Sequence, residues 1–176
     1  MNDDSEKRRF GFAKSSRYKS LGVVAAFVLS AWATTAKAFC WDYAARYSHM
    51  PVDLLKAIAT VESGCDPNAF NKNKDGSHDI GLMQINSVHL ARLKKYDGIE
   101  ERQLYEPCTN LLVGSRILWE QVMRYGWTWQ AVGAYHMPDP NQLPTQVDYA
   151  KLVWSRVNFV RTHPNQCVPN DRRNRR

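Results

Sequence analysis

The sequence predicts a mostly α domain, α+β in class, with helices dominant and one small β-like insertion. Three observations predict it. Apolar residues recur at helical spacing in several windows bounded by capping or breaking residues. One polar stretch, Asn71 to Asp79, contains the turn dipeptide Asp75-Gly76. Connections are short and no window shows a strong strand alternation, so helices must pack on one another around the insertion.

In chain order, Cys40 to Tyr47 reads as a short helix. Pro51 suits the first turn of a second helix, and Gly64 can end it. The polar insertion follows. Ser87 is expected to cap a helix running to Lys95. Asn110 is expected to cap a longer one, with Leu111, Ile117, Leu118, Val122 and Met123 as its apolar stripe and Gly126 as its end. Thr128 can start another helix through His136, and Met137-Pro-Asp-Pro140 breaks the chain. Thr145 is expected to cap a final helix whose Ala150, Val153, Trp154, Val157 and Val160 face the core.

Residues 1–38 read as a secretory signal peptide. A basic segment (Lys7, Arg8, Arg9, Lys14, Arg17, Lys19) precedes an apolar run from Leu21 to Ala33 and the small-residue site Ala36-Lys37-Ala38. The run is short for a membrane span, and an uncleaved anchor is the alternative. One domain, residues 39–165, follows, with a basic tail at 166–176 expected to be disordered and solvated. Of the formal charge of +7, the leader carries +4 and the last six residues +3, so residues 39–170 are formally neutral. That removes most of the support for nucleic-acid binding. Cys40, Cys65, Cys108 and Cys167 all follow the leader. An even number of cysteines in an exported chain suggests disulfides, in any of three pairings. Their spacing does not resemble a zinc site, and neither a metal nor a cofactor is expected.

Glu62 stands out. With Leu55, Ile58 and Ala59 it falls at spacings of three, four and seven, so all four share one helix face. A carboxylate on an apolar face needs a partner or a proton. Burial would raise its pKa, which suits a general acid near neutral pH, although a solvated helix-end Glu has the same local sequence.

Four segments support the acid. They are Glu62-Ser63, Ile80-Gly-Leu-Met-Gln-Ile-Asn86, Ala134-Tyr135 and Tyr149-Ala150, with Glu106-Pro-Cys-Thr-Asn110 between them. In this order the chain from Phe39 onward resembles the SLT-type lytic transglycosylases, which share a lysozyme-like fold. It looks closest to the small exported members that accompany type III and type IV secretion, conjugation and pilus machines. The resemblance implies a periplasmic enzyme that cleaves peptidoglycan glycan strands without water, opening the wall for such a machine. It puts the catalytic acid on Glu62 and substrate contacts on Ser63, Gly81, Met83, Gln84, Tyr135, His136 and Tyr149, with Tyr149 orienting Glu62. Core packing is the competing reading for Met83, Tyr135 and Tyr149, and a simple turn for Gly81. The family usually reads Ala-Tyr-Asn where this chain has His136, and Met137-Pro-Asp-Pro140 replaces a glycine-containing stretch.

Asp79 is a candidate second catalytic carboxylate, stabilising positive charge or positioning water; a loop Asp bonding its own backbone is the alternative. The resemblance further implies a Cys40–Cys108 disulfide, leaving Cys65 and Cys167 as a second pair. A hydrolytic muramidase of the same fold and a wall-binding assembly module without activity are the competing functions. Expected partners are peptidoglycan strands and components of the secretion or pilus machine, with no stable membrane insertion after signal cleavage.

Overall fold

The computed structural model describes residues 40–163. The predicted leader, the tail and Cys167 lie outside the described residues. Six α-helices are present among them: α1 (Trp41–Ser48), α2 (Val52–Ser63), α3 (Leu90–Asp97), α4 (Pro107–Tyr125), α5 (Trp129–His136) and α6 (Leu143–Thr162). Between α2 and α3 lies a three-stranded antiparallel sheet, β1 (Phe70–Lys72), β2 (His78–Ile80) and β3 (Ile85–Asn86), in sequential order. This is the predicted mostly α fold with its β insertion, and Asp75-Gly76 sits in the β1–β2 turn.

Helix α2 forms for the reasons its sequence suggests. Pro51 precedes it with extended backbone, and Leu55, Ile58 and Ala59 are fully buried against the core. Burying a side chain such as Leu55 or Ile58 stabilises by roughly 1.5–3 kcal/mol. Gly64 ends the helix in the left-handed region at φ 65°. Its N–H donates to Thr60 O (3.0 Å), and the Cys65 N–H donates to Ala59 O (3.1 Å). These bonds satisfy carbonyls at the helix end. Glu62 therefore occupies the last turn of α2, just before the chain reverses. Helix α6 packs across α2 and α5, while the Cys40–Cys108 disulfide ties the start of α1 to α4 with Cα atoms 5.5 Å apart.

Several predicted caps are corrected. Helix α4 begins at Pro107, not after Asn110, and Asn110 is fully buried one turn inside it. Pro107 suits the first helical position, because its φ is preset and its missing N–H would have had no intrahelical partner. Helix α6 likewise begins at Leu143, with Pro144 in its first turn, so Thr145 is not its cap. A 3₁₀ turn (Ser87–His89) precedes α3 and is capped by Asn86, whose side chain accepts from the Val88 N–H. Ser87 Oγ instead accepts the His78 N–H (3.1 Å). Thr128 does cap α5, accepting from the Ala131 N–H (3.3 Å). Met123 and Trp154, placed in apolar stripes by periodicity, are exposed at 70% and 48%. Among the described residues, no helix is long and apolar enough to cross a membrane.

Candidate active site

Glu62, Asp79, Gln84, Tyr135 and His136 line one cleft of about 910 Å³ between the helices and the sheet. Glu62 reaches it from the end of α2. Its Oε1 accepts a 2.5 Å hydrogen bond from the Tyr149 hydroxyl on α6. Burial raises the Glu62 pKa from 4.5 to about 7; the Tyr149 hydrogen bond opposes the rise and the Asp79 charge adds to it. Desolvation outweighs the hydrogen bond, since among the described residues the Tyr149 hydroxyl is the one donor that replaces water at this carboxylate. The phenols of Tyr149 and Tyr135 are held well above their ordinary pKa, by burial first and by the Glu62 charge second. Both therefore remain hydrogen-bond donors at neutral pH.

Asp79 approaches from β2. Its Oδ1 accepts from Asn86 Nδ2 (2.7 Å), and its Oδ2 accepts from Asn73 Nδ2 (3.1 Å) and Asn71 Nδ2 (3.4 Å). The sheet register explains the set, since Asn71 and Asn86 both lie opposite Asp79 on the neighbouring strands. The carboxyl group is thus fixed in place by three side-chain amides. Sequence reasoning missed all three asparagines: a two-residue turn at Asp75-Gly76 would have put Lys72 opposite Asp79, and the observed register is shifted by one residue so that Asn71 lies there.

Other predicted residues build the wall instead of facing the cleft. Met83 is fully buried, and a Cβ added to Gly114 of α4 would lie 2.7 Å from Met83 Cβ. Met83 thus packs directly on the α4 backbone, as its core-filling reading had it. Its main chain is held from both sides, the N–H donating to Asn110 Oδ1 (2.7 Å) and the carbonyl accepting from the Tyr135 hydroxyl (2.7 Å). Asn110 Nδ2 also donates to Ile80 O (2.8 Å) and Leu104 O (2.7 Å). One buried amide therefore clamps the strand that carries Asp79 and the loop that follows.

Gly81 has φ +74°, and any Cβ there would collide with Asn110 and Leu104. It is a turn glycine packed on protein. Ser63 is buried; its Oγ donates to Leu82 O (2.7 Å) and accepts from the Asp66 N–H (3.1 Å), locking α2 to the same loop. Gln84 does face the cleft, in a left-handed conformation at φ 49°, with Nε2 donating to Gly81 O (2.9 Å). His136 stacks on Tyr149 with ring centroids 4.6 Å apart and planes 3° apart. Burial lowers its pKa below the ordinary value against the opposing Asp79 charge, so the imidazole is neutral near pH 7.

The Cys40–Cys108 bridge is present, and Cys65 is also disulfide-bonded, although its expected partner Cys167 lies outside the described residues. No group of three or more His, Cys, Asp or Glu among the described residues is placed to hold a metal ion. Among the described residues, the cleft brings a proton donor poised near neutrality, Glu62, together with Asp79 held by three side-chain amides.

Known proteins bear on this geometry. The family model described as the transglycosylase SLT domain matches residues 39–143. The invasion protein IagB of Salmonella typhimurium is 44% identical over 133 residues, covering 73% of this chain and 82% of the relative. Protein IpgF of Shigella flexneri is 40% identical over 121 residues, covering 68% and 80% respectively. A peptidoglycan-binding-like protein of Escherichia coli O157:H7 is 35% identical over 157 residues, covering 82% and 93%.

Proposed function

The chain belongs to the transglycosylase SLT family of lytic transglycosylases, with its lysozyme-like, mostly α domain, and from that premise we propose how it acts. The substrate class is peptidoglycan. The bond cleaved is the β-1,4 link between N-acetylmuramic acid and N-acetylglucosamine. Glu62 is the acid and then the base. The observation that carries this reading is the Glu62 carboxyl at the cleft, raised to about 7 by burial and held by Tyr149.

The proton moves from Glu62 to the glycosidic oxygen, and the C1–O bond breaks. The departing N-acetylglucosamine takes that proton as a hydroxyl. The substrate's own N-acetyl oxygen shares the positive charge at C1, so no enzyme nucleophile is required. Glu62, now ionised, accepts the proton of the muramoyl C6 hydroxyl as O6 bonds to C1. The products are a 1,6-anhydromuramoyl end and a new N-acetylglucosamine end. Water is not consumed, and Glu62 returns to its starting state. A single carboxyl serving both steps works best with a pKa near the operating pH.

Asp79 contributes electrostatically. Fixed by amides, it adds to burial in favouring the protonated Glu62 before the reaction and favours positive charge at C1 during it. A hydrolytic muramidase is the second reading, favoured by the same fixed carboxylate, which could position water in the role of a second glycosidase carboxyl. Borohydride separates the two. Hydrolysis leaves reducing muramic acid that converts to muramitol, while anhydro ends resist reduction. Conversion of the released ends to muramitol would sink the transglycosylase chemistry.

The protein would work in the periplasm after removal of residues 1–38, opening wall locally for a secretion, conjugation or pilus machine. The export-like leader, the disulfide and the named invasion relative support that setting.

A further inference from the structure

We propose that His136 is a positioning residue: its ring, stacked flat on Tyr149, fixes the phenol that in turn holds Glu62. The packing of α5 on α6 creates the stack. A Cβ added at Gly133 of α5 would meet the Gln146 carbonyl oxygen and lie 2.7 Å from Gln146 Cβ on α6, so the two helices approach backbone to backbone there. His136 and Tyr149 each lie three residues further along those same two faces. The close approach at Gly133 therefore brings one ring over the other.

Gln146 secures the arrangement. Its Nε2 donates to Met137 O (2.9 Å) and Asp139 O (3.0 Å), pinning the backbone that leaves His136. The chain has the Met137-Pro-Asp-Pro140 break at this point, and the Gln146 amide holds it against α6. Tyr149 is 7% exposed, and the hydroxyl's recorded acceptor is Glu62. Its ring must keep one orientation for that bond to persist, and the parallel imidazole of His136, itself in the cleft lining, covers one face of that ring. Offset parallel stacking is a favoured arrangement for two flat rings.

The charged and titratable groups around Glu62 come from three elements: Tyr149 on α6, Tyr135 on α5 and Asp79 on β2. His136 faces Tyr149, with the Asp79 charge acting on it from across the cleft. Loss of the stack loosens the Tyr149 bond, the one contribution that lowers the Glu62 pKa. The signature of positioning is therefore an upward move of Glu62 titration, which a direct sugar contact would not produce.

The test replaces His136 by Phe, which keeps a flat ring, and by Ala, which removes it. Glu62 is titrated by carboxyl ¹³C NMR in the purified protein, with the pH profile of muropeptide release measured alongside. His136→Phe should titrate as wild type. His136→Ala should move the Glu62 midpoint and the alkaline limb upward together by about half a pH unit. In a Tyr149→Phe background the Ala change should add nothing. If His136→Ala does not fold, His136→Leu supplies bulk without a flat ring and should show the same shift. An unmoved midpoint in the ringless variant, or an equal shift with and without the Tyr149 hydroxyl, overturns the proposal. The inference rests on Glu62 as the proton donor only for the activity profile. Absence of anhydro ends from wild type would end that reading, while the NMR titration would still judge the stack.

Discussion

Tyr149 and Glu62 are 87 positions apart in sequence and joined by a 2.5 Å hydrogen bond, with the phenol donating to the carboxyl. That bond ties the last helix to the second, against which it packs. It is also the one contribution holding the Glu62 pKa down against burial and against Asp79. Tyr149→Phe should therefore raise the Glu62 pKa further. A hydrogen bond to a charged group is worth about 1.5 kcal/mol at the lower end, so the alkaline limb of kcat/KM should move up by about one pH unit. A downward move would mean that the phenol stabilises the protonated acid instead.

Asp79→Asn should act in the opposite direction. It removes a negative charge that favours the protonated form of Glu62 while leaving a group of the same shape among Asn71, Asn73 and Asn86. The alkaline limb should move down, and the rate at pH 8 should fall more than the rate at pH 5. Equal loss at both pH values would assign Asp79 a role independent of Glu62 ionisation.

Stability carries the same signature. The Glu62 pKa is higher folded, about 7, than its ordinary 4.5. Below pH 4.5 the group is protonated in both states and costs nothing. Between 4.5 and 7 the unfolded chain releases the proton first, so stability falls as pH rises, and it levels off above 7. The full penalty is on the order of 3 kcal/mol. Glu62→Gln should thus be more stable than wild type at pH 8, by up to about 3 kcal/mol, and nearly equal at pH 4. Denaturant unfolding at the two pH values checks this, and a variant less stable than wild type at pH 8 contradicts it.

Asn110→Ala should be among the more damaging substitutions outside the cleft. It orphans the Met83 N–H and the carbonyls of Ile80 and Leu104, all at a fully buried position. Each unsatisfied buried group costs about 1–3 kcal/mol, so a loss of roughly 3 kcal/mol or more is expected in denaturant unfolding. A loss below about 1 kcal/mol would show that the loop is held by other contacts.

Periodicity and motif order made the mostly α fold, the β insertion and Glu62 legible before any coordinates. Leu55, Ile58 and Ala59 are local, and their spacing alone determines which face of α2 is buried. What was not legible depended on long-range partners. Asn110 resembled a helix cap because Asn favours caps, yet Pro107 had already begun the helix and freed its amide for the Ile80–Met83 loop. Trp154 fits the apolar stripe of α6 by spacing, but its ring packs edge-on against Trp129 at the surface. Ser63, Gly81 and Met83 sit in motifs that suggest ligand contact, and their short-range role is to hold the wall that presents Gln84 and Tyr135. The stack of His136 on Tyr149 could not be anticipated, because it follows from how closely α5 approaches α6 at Gly133.

Mass spectrometry of muropeptides released from purified peptidoglycan tests the central claim most directly. Wild type should release glycan ends one water lighter than reducing muramic acid ends, and Glu62→Gln should release them at a rate lower by a factor on the order of 10²–10⁴. Reducing ends from wild type, or equal release by Glu62→Gln, would contradict an enzyme that uses one carboxyl as acid and then base.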